Sequence, residues 1–344
     1  MIRRLIIVAA AALISACVTV PTRSPEPHAS GPVLDLDFPD PFILPEGRTL
    51  FAYATNTVRD GRRLHVQLSR SDDGRNWAEP RDAMPTLPTW VQAPDGDVWA
   101  PEVIKLGDRY VLYFAARSAE VRRRDGLTLC VGAAVSSEPQ GPFVPQPAPL
   151  TCDGPDGAID PSPFREGDRL WLYVKTDGNC CGDIVRFLAL PLSPDGLSVV
   201  GDATPLPGIA SDSKWEGDVI EAPQMVRHGQ DYFLFFSGND YGGPDYGIGY
   251  AQCDGPLGPC HQAAENPIVR STEGLIGPGH ETVFETGGAS YLAYHAWRRG
   301  PDGKLKYRAL YVAPLDWPDG RPHAQTLPKE VARPASLQSP TAPS

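Results

Sequence analysis

Five times along the chain a turn glycine is followed by a run in which apolar and small or polar positions alternate: Gly47-RTLFAYATN, Gly107-DRYVLYFAA, Gly167-DRLWLYVKT, Gly229-QDYFLFFSG and Gly287-GASYLAYHA. A period of two is the mark of a strand with one face buried. Another extended segment precedes each glycine, such as Phe42-Ile43-Leu44 or Val103-Ile104-Lys105-Leu106, so a hairpin is predicted to turn there. A second hairpin follows in every unit, as Leu64-HVQLSRSDDGRNW, Cys130-VGAAVSSEPQGPF, Ile184-VRFLALPLSPDGL, Gly247-IGYAQCDGPLGP and Tyr307-RALYVAPLDWPDGRP, each with Gly or Pro in its turn. The glycines lie 60, 60, 62 and 58 residues apart, so the repeat fills almost the whole chain. Four strands per unit predict an all-β fold, a five-bladed β-propeller of four-stranded antiparallel blades over residues 33–335. Pro and Gly recur too often for a helical repeat.

Composition narrows the partners and the compartment. The 344 residues carry a formal charge of −11, which argues against a nucleic-acid surface; the one basic run, Arg122 to Arg124, reads as a solvated loop. At the N-terminus, Arg3 and Arg4, the apolar stretch Leu5 to Leu13 and Ile14-Ser15-Ala16-Cys17 resemble a bacterial lipoprotein signal with its lipobox. That resemblance implies export, with Cys17 as a lipidated N-terminus and membrane contact through the lipid only. An ordinary cleaved signal with Cys17 incidental remains the alternative. Residues 18–32 read as a tether and 336–344 as a disordered tail. In an oxidising compartment Cys130, Cys152, Cys180, Cys181, Cys253 and Cys260 are expected in disulfides rather than a zinc site, since no CxxC pair is present. Cys253 and Cys260 flank one turn and Cys130 and Cys152 another; the pairing of Cys180 and Cys181 is open.

The innermost strand of a propeller blade lines the central channel, so the residues that open the repeats converge at one end of it. Seven positions before the glycines stand Asp40, Ala100, Asp160, Ala222 (with Glu221 just before it) and His280. Packing alone gives no reason to set acids at one register position. Their contexts are Asp40-Pro-Phe, Trp99-Ala-Pro-Glu-Val, Ile159-Asp-Pro-Ser-Pro, Ile220-Glu-Ala-Pro-Gln and Gly277-Pro-Gly-His-Glu. Taken singly, an Asp-Pro is an ordinary turn; the matched register sets this group apart.

As an ensemble these motifs resemble glycoside hydrolase family 43, blade by blade. The resemblance implies an inverting hydrolase of arabinose- or xylose-containing glycans, with Asp40 as general base, Glu221 as general acid and Asp160 orienting the acid and raising its pKa. Inversion asks for such a set, one carboxylate activating water while a protonated carboxyl serves the leaving oxygen. No cofactor is implied. His280 is expected to bind substrate or an ion in the channel, calcium or another, with a core histidine as the plain alternative. Trp99 is placed to cover a sugar face, Phe42 and Ile159 to wall the subsite of the reacting sugar, Trp215 to reach the cleft rim and Arg308 to steer a hydroxyl; packing or solvent exposure is the alternative for each. The Gly277-Pro-Gly-His280 element resembles that of the arabinan-active members more than that of the β-xylosidases, which implies α-L-arabinofuranosidic bonds over β-D-xylosides, and a monomer is expected. A carbohydrate-binding propeller without catalysis is the alternative of another class. Asp72-x-Gly74-x-x-Trp77 echoes the Asp-box turn of sialidases, but only once.

Overall fold

The computed structural model describes residues 31–94, 96–123, 126–152, 157–178, 182–210 and 215–325. Cys17 and its signal, the tether up to residue 30, Cys180, Cys181 and the tail lie outside the described residues. Five four-stranded antiparallel sheets form the expected blades, each in sequence order from the channel outward. Blade 1 comprises Phe42–Glu46, Thr49–Ala54, Gln67–Ser71 and Arg81–Asp82, and blade 2 Trp99–Leu106, Arg109–Arg123, Gly126–Ser136 and Val144–Pro145. Blade 3 is Ala158–Glu166, Arg169–Thr176, Arg186–Leu192 and Thr204–Ala210; blade 4 is Ile220–His228, Asp231–Gly238, Gly247–Cys253 and Cys260–Gln262. Blade 5 closes the series with Ile276–Thr286, Ala289–Arg299, Leu305–Asp316 and His323–Ala324. All five repeat glycines turn the first hairpin in the left-handed region, with φ from 57 to 66°.

The alternation seen in the sequence buries one side chain set of each blade against the next. Tyr53, Tyr113 and Tyr173, each six residues after the turn glycine, are fully buried. Their hydroxyls donate across the blade boundary to carbonyls in the next blade's outer turn: Tyr53 to Pro139, Tyr113 to Gly196 at 2.9 Å and Tyr173 to Pro256 at 2.7 Å. Blade 4 has Phe235 at this position, and its ring instead meets Trp317, edge-on at 6.3 Å. Cys130–Cys152 and Cys253–Cys260 are disulfide-bonded, as their turn-flanking places suggested.

A propeller must also join its last blade to its first, and here the segment before blade 1 makes that joint. The Val33 N–H donates to the Leu310 carbonyl at 2.8 Å and the Phe38 N–H to the Arg308 carbonyl at 2.8 Å, along the third strand of blade 5. Nearer the channel, Thr282 Oγ1 donates to the Pro41 carbonyl at 2.8 Å. Phe38 is completely buried with Leu34, Ile43, Phe284, Tyr291 and Leu310 between the two blades. Phe38→Ala is therefore expected to cost about 3–5 kcal/mol in urea unfolding; a loss below about 1 kcal/mol would show that the joint carries little of the ring's stability.

Candidate active site

The backbone at the head of each innermost strand departs from the sheet in the same way five times. Asp40, Ala100, Asp160, Ala222 and His280 have φ of 54, 46, 54, 56 and 51°. A left-handed conformation costs a residue with a Cβ roughly 1–2 kcal/mol, so five at one register position mark a built feature. In blades 2 to 5 the strand ladder skips the left-handed residue and the one after it, breaking between Trp99 and Glu102, Ile159 and Ser162, Glu221 and Gln224, and Gly279 and Thr282. Proline follows in four of the five, where the broken ladder needs no N–H. Such a bulge re-aims the side chains beside it, here toward the mouth of the channel.

The N–H freed by the bulge is taken by a side chain of the preceding blade. Thr55 Oγ1 accepts from Ala100 at 2.9 Å, Asp160 Oδ2 from Ala222 at 2.9 Å, Ser237 Oγ from His280 at 2.8 Å and His295 Nδ1 from Asp40 at 3.0 Å. Thr55, Ser237 and His295 share a second register position, eight residues after the turn glycine, and its other members are Ala115 and Lys175. Two positions of the repeat thus supply nearly all the polar groups of the site.

They enclose a cavity of about 370 Å³ at the channel mouth. Asp40, Trp99, Ile159, Asp160, Glu221, His280 and Arg308 all line it, so seven of the expected site residues are brought together. Asp40 receives a 3.0 Å hydrogen bond from Arg308 Nη1 on Oδ1 and a 2.5 Å one from Thr55 on Oδ2, while His280 Nδ1 lies 3.5 Å from Oδ1. Burial alone would raise the pKa of this carboxyl; the Arg308 guanidinium and then His280 overcome it and hold Asp40 well below the usual carboxylate range. Burial, with Arg308 adding to it, lowers His295 to about 4, so its ring is neutral and its Nδ1 is free to accept the Asp40 N–H.

Glu221 sits in a different field. Its Oε2 is 3.2 Å from Lys175 Nζ, and its Oε1 accepts the Tyr246 hydroxyl at 2.5 Å. Desolvation pushes its pKa up, but Lys175 and then Tyr246 outweigh that and lower it. Asp160 moves the other way, raised by burial and by the charge of Glu221. Asp160 thus holds its proton more strongly than an isolated aspartate, and Glu221 less strongly than an isolated glutamate. This reverses the expectation that Asp160 would hold Glu221 protonated, and the reason is Lys175, a buried cation that the sequence reading left out. Deeper in the channel burial raises Glu102 to about 8 and Glu281 well above its ordinary value.

Two expected residues lie elsewhere. Phe42, the first paired residue of blade 1, packs on Tyr53 at 6.3 Å and lines a separate cleft farther along the innermost strands. Trp215 is folded onto Phe236 at 5.5 Å with its Nε1 donating to Gln262 Oε1 at 3.1 Å, inside blade 4 rather than at the rim. Arg308 reaches the cavity but is spent first on Asp40, and its guanidinium also lies over the rings of Tyr241 and Trp297. Tyr241, half exposed at the mouth, was missed because it belongs to a loop outside the repeat, with its carbonyl fixed by Trp297 Nε1 at 2.7 Å. For the ion expected at His280, no group of three or more His, Cys, Asp or Glu able to hold a metal converges among the described residues, and His280 Nδ1 faces Asp40.

Residues 29–322 match the family model described as glycosyl hydrolases family 43. The chain is 29% identical over 296 residues to the extracellular endo-α-(1→5)-L-arabinanase of Thermotoga petrophila, covering 74% of this chain but only 55% of that protein's length. It is 23% identical over 322 residues to the extracellular exo-α-(1→5)-L-arabinofuranosidase of Cellvibrio japonicus, covering 82% of this chain and 86% of that one. The crystal structure of a thermostable family-43 glycoside hydrolase superposes with a TM-score of 0.73 at 26% identity, over 88% of this chain and 97% of the other.

The field around Asp40 can be tested without any substrate. Arg308 lowers the Asp40 pKa, so Arg308→Met must raise it, by about one to two pH units for an opposite charge at this range. Carboxyl carbon NMR across a pH titration would report the midpoint; an unmoved Asp40 midpoint would show that Arg308 does not hold its charge.

Proposed function

The chain belongs to glycosyl hydrolase family 43, and we propose that it is an inverting glycoside hydrolase that cleaves α-L-arabinofuranosidic bonds in arabinan or arabinose-decorated plant cell-wall polysaccharide. The observation that carries this reading is one cavity with two oppositely equipped carboxyl sites. Blade 1 presents Asp40, its pKa held low by Arg308 and His280, and blade 4 presents Glu221 beside Asp160 of blade 3, whose pKa burial raises.

In the proposed reaction Asp40 takes a proton from a water whose oxygen bonds to the anomeric carbon. The bond from that carbon to the glycosidic oxygen breaks at the same time, and the oxygen receives its proton from Glu221. Inverting enzymes hold such a pair roughly 6.5–9.5 Å apart, with room for the water between base and sugar. Glu221 enters the reaction in its protonated form, and Asp160, whose Oδ2 accepts the N–H of Ala222 next to it, serves as the orienting group. Trp99 and Ile159 wall the reacting sugar, and Tyr241 stands where the glycan leaves the cavity. The reaction uses these side chains and water only. The two arabinan-active relatives support arabinose over xylose, and their extracellular description supports export. The signal that ends at Cys17 supports a lipid anchor in the cell envelope.

The test compares an aryl α-L-arabinofuranoside, an aryl β-D-xyloside and linear arabinan, following the product anomer by NMR. Arabinoside turnover with inversion is expected, and Asp40→Asn and Glu221→Gln should each lower kcat/KM by roughly 10³-fold or more. A retained anomer would overturn the mechanism, xyloside-only turnover the choice of sugar, and glycan binding without turnover the reading as an enzyme. For the anchor, Cys17→Ser is expected to move the protein from the membrane fraction to the soluble one; an unchanged distribution would refute lipidation at this residue.

A further inference from the structure

Lys175 is a costly residue for the proposed chemistry to leave without a part. Its side chain has no solvent exposure, at the end of an apolar strand whose neighbours Leu172 and Val174 are core residues. Taking an ammonium out of water costs several kcal/mol unless close partners compensate. A residue that served packing alone would be apolar, and one that served only to orient Glu221 would need no charge, since Tyr246 already donates to that carboxylate.

The groups facing Lys175 define what its charge does. From its own blade come Asp160 on the innermost strand and Asp177 just past the second; from blade 4 comes Glu221, with Tyr246 on its far oxygen; from blade 5 comes His280, which faces the two acids. Glu221 is the acid in direct contact, Nζ to Oε2 at 3.2 Å. We propose that Lys175 is a positioning residue that sets the strength of Glu221 as an acid, by stabilising the carboxylate left after its proton has gone to the glycosidic oxygen. The inference rests on the hydrolase reading and deepens it, because it names the leaving group the site is built for.

When the glycosidic bond breaks, both bonding electrons go to the leaving oxygen, and that oxygen takes the Glu221 proton. A sugar hydroxyl is a poor leaving group and gains most from a strong acid; a nitrophenolate leaves almost unaided. An ammonium against Glu221 makes the stronger acid, at the expense of the fraction protonated at neutral pH. The site is therefore fitted to glycosyl–sugar bonds and to mildly acidic medium. The sign follows from the charge: Lys175 favours ionised Glu221, so removing it raises the pH at which the acid form, and with it kcat/KM, is lost.

Lys175→Met and Lys175→Arg would be compared with the wild type in pH profiles of kcat/KM on an arabino-oligosaccharide and on nitrophenyl α-L-arabinofuranoside. Lys175→Met is expected to move the alkaline limb up by about one unit or more. Its plateau rate is expected to fall roughly tenfold further on the oligosaccharide than on the nitrophenyl substrate. Lys175→Arg, which keeps the charge, should leave the limb in place. An unmoved limb in Lys175→Met, a limb moved as far in Lys175→Arg, or equal losses on both substrates would overturn the proposal while leaving the hydrolase reading intact. A wild type that turns over neither substrate would instead end the reading on which it rests. Should Lys175→Met not fold, carboxyl carbon NMR of the wild-type protein decides the matter, with Glu221 assigned from the Glu221→Gln spectrum. A Glu221 midpoint below that of an ordinary glutamate agrees with the proposal, and one above it refutes it.

Discussion

Everything at the mouth of this propeller depends on one backbone constraint, the left-handed residue at the head of each innermost strand. A regular strand entering the channel would send alternate side chains to the two faces of its blade and leave none aimed along the axis. The left-handed residue turns the chain once, and in blades 1, 3 and 5 it is Asp40, Asp160 or His280. In blade 4 the turned residue is Ala222, and the carboxyl is supplied by Glu221 immediately before it. The strain is met locally, since each N–H known to be accepted by a neighbouring blade goes to a polar side chain at a fixed register. Fold and site are consequently one construction: the hydrogen bonds that fasten blade to blade at the mouth also orient the carboxyls.

The joint between blades 5 and 1 shows this most clearly. The segment that closes the ring runs from Val33 to Phe38 against the strand that bears Arg308, and two residues later the chain reaches Asp40. Arg308 then binds Asp40 by its side chain while its carbonyl holds Phe38. Closure of the ring and ionisation of the candidate base are secured by the same arginine. Across the cavity the buried cation is Lys175, and there the balance differs because two acids share it, Glu221 being lowered and Asp160 raised. The pKa values of carboxyls in one cavity are thereby pushed apart, the condition that acid–base catalysis requires.

Much of this was legible in the chain because the repeat is regular. The turn glycines mark the blades, and counting back from them places Asp40, Asp160, Glu221 and His280 at one end of the channel. Counting forward from the same glycines would have found Thr55, Lys175, Ser237 and His295, but a lysine inside the run WLYVK reads as the polar half of an alternating strand. What alternation cannot reveal is which polar position faces solvent and which faces a neighbouring blade. Phe42 and Trp215 failed for a related reason: proximity in sequence to a carboxyl says nothing about the side of the strand on which a side chain falls. Tyr241 and Tyr246 lie in a connection outside the repeat, and no period applies to them. The disulfides Cys130–Cys152 and Cys253–Cys260 were readable because each pair brackets a hairpin turn.

The central claim is that Asp40 and Glu221 address one sugar from opposite sides of one cavity, with a water on the side of Asp40. A crystal structure of the Glu221→Gln protein soaked with an arabino-oligosaccharide tests it directly. The account predicts an anomeric carbon held between the two positions, with an ordered water within about 2.6–3.2 Å of an Asp40 oxygen on the face away from the leaving oxygen. A sugar bound outside the cavity, or an Asp40 oxygen in direct contact with the anomeric carbon and no water between them, would contradict it.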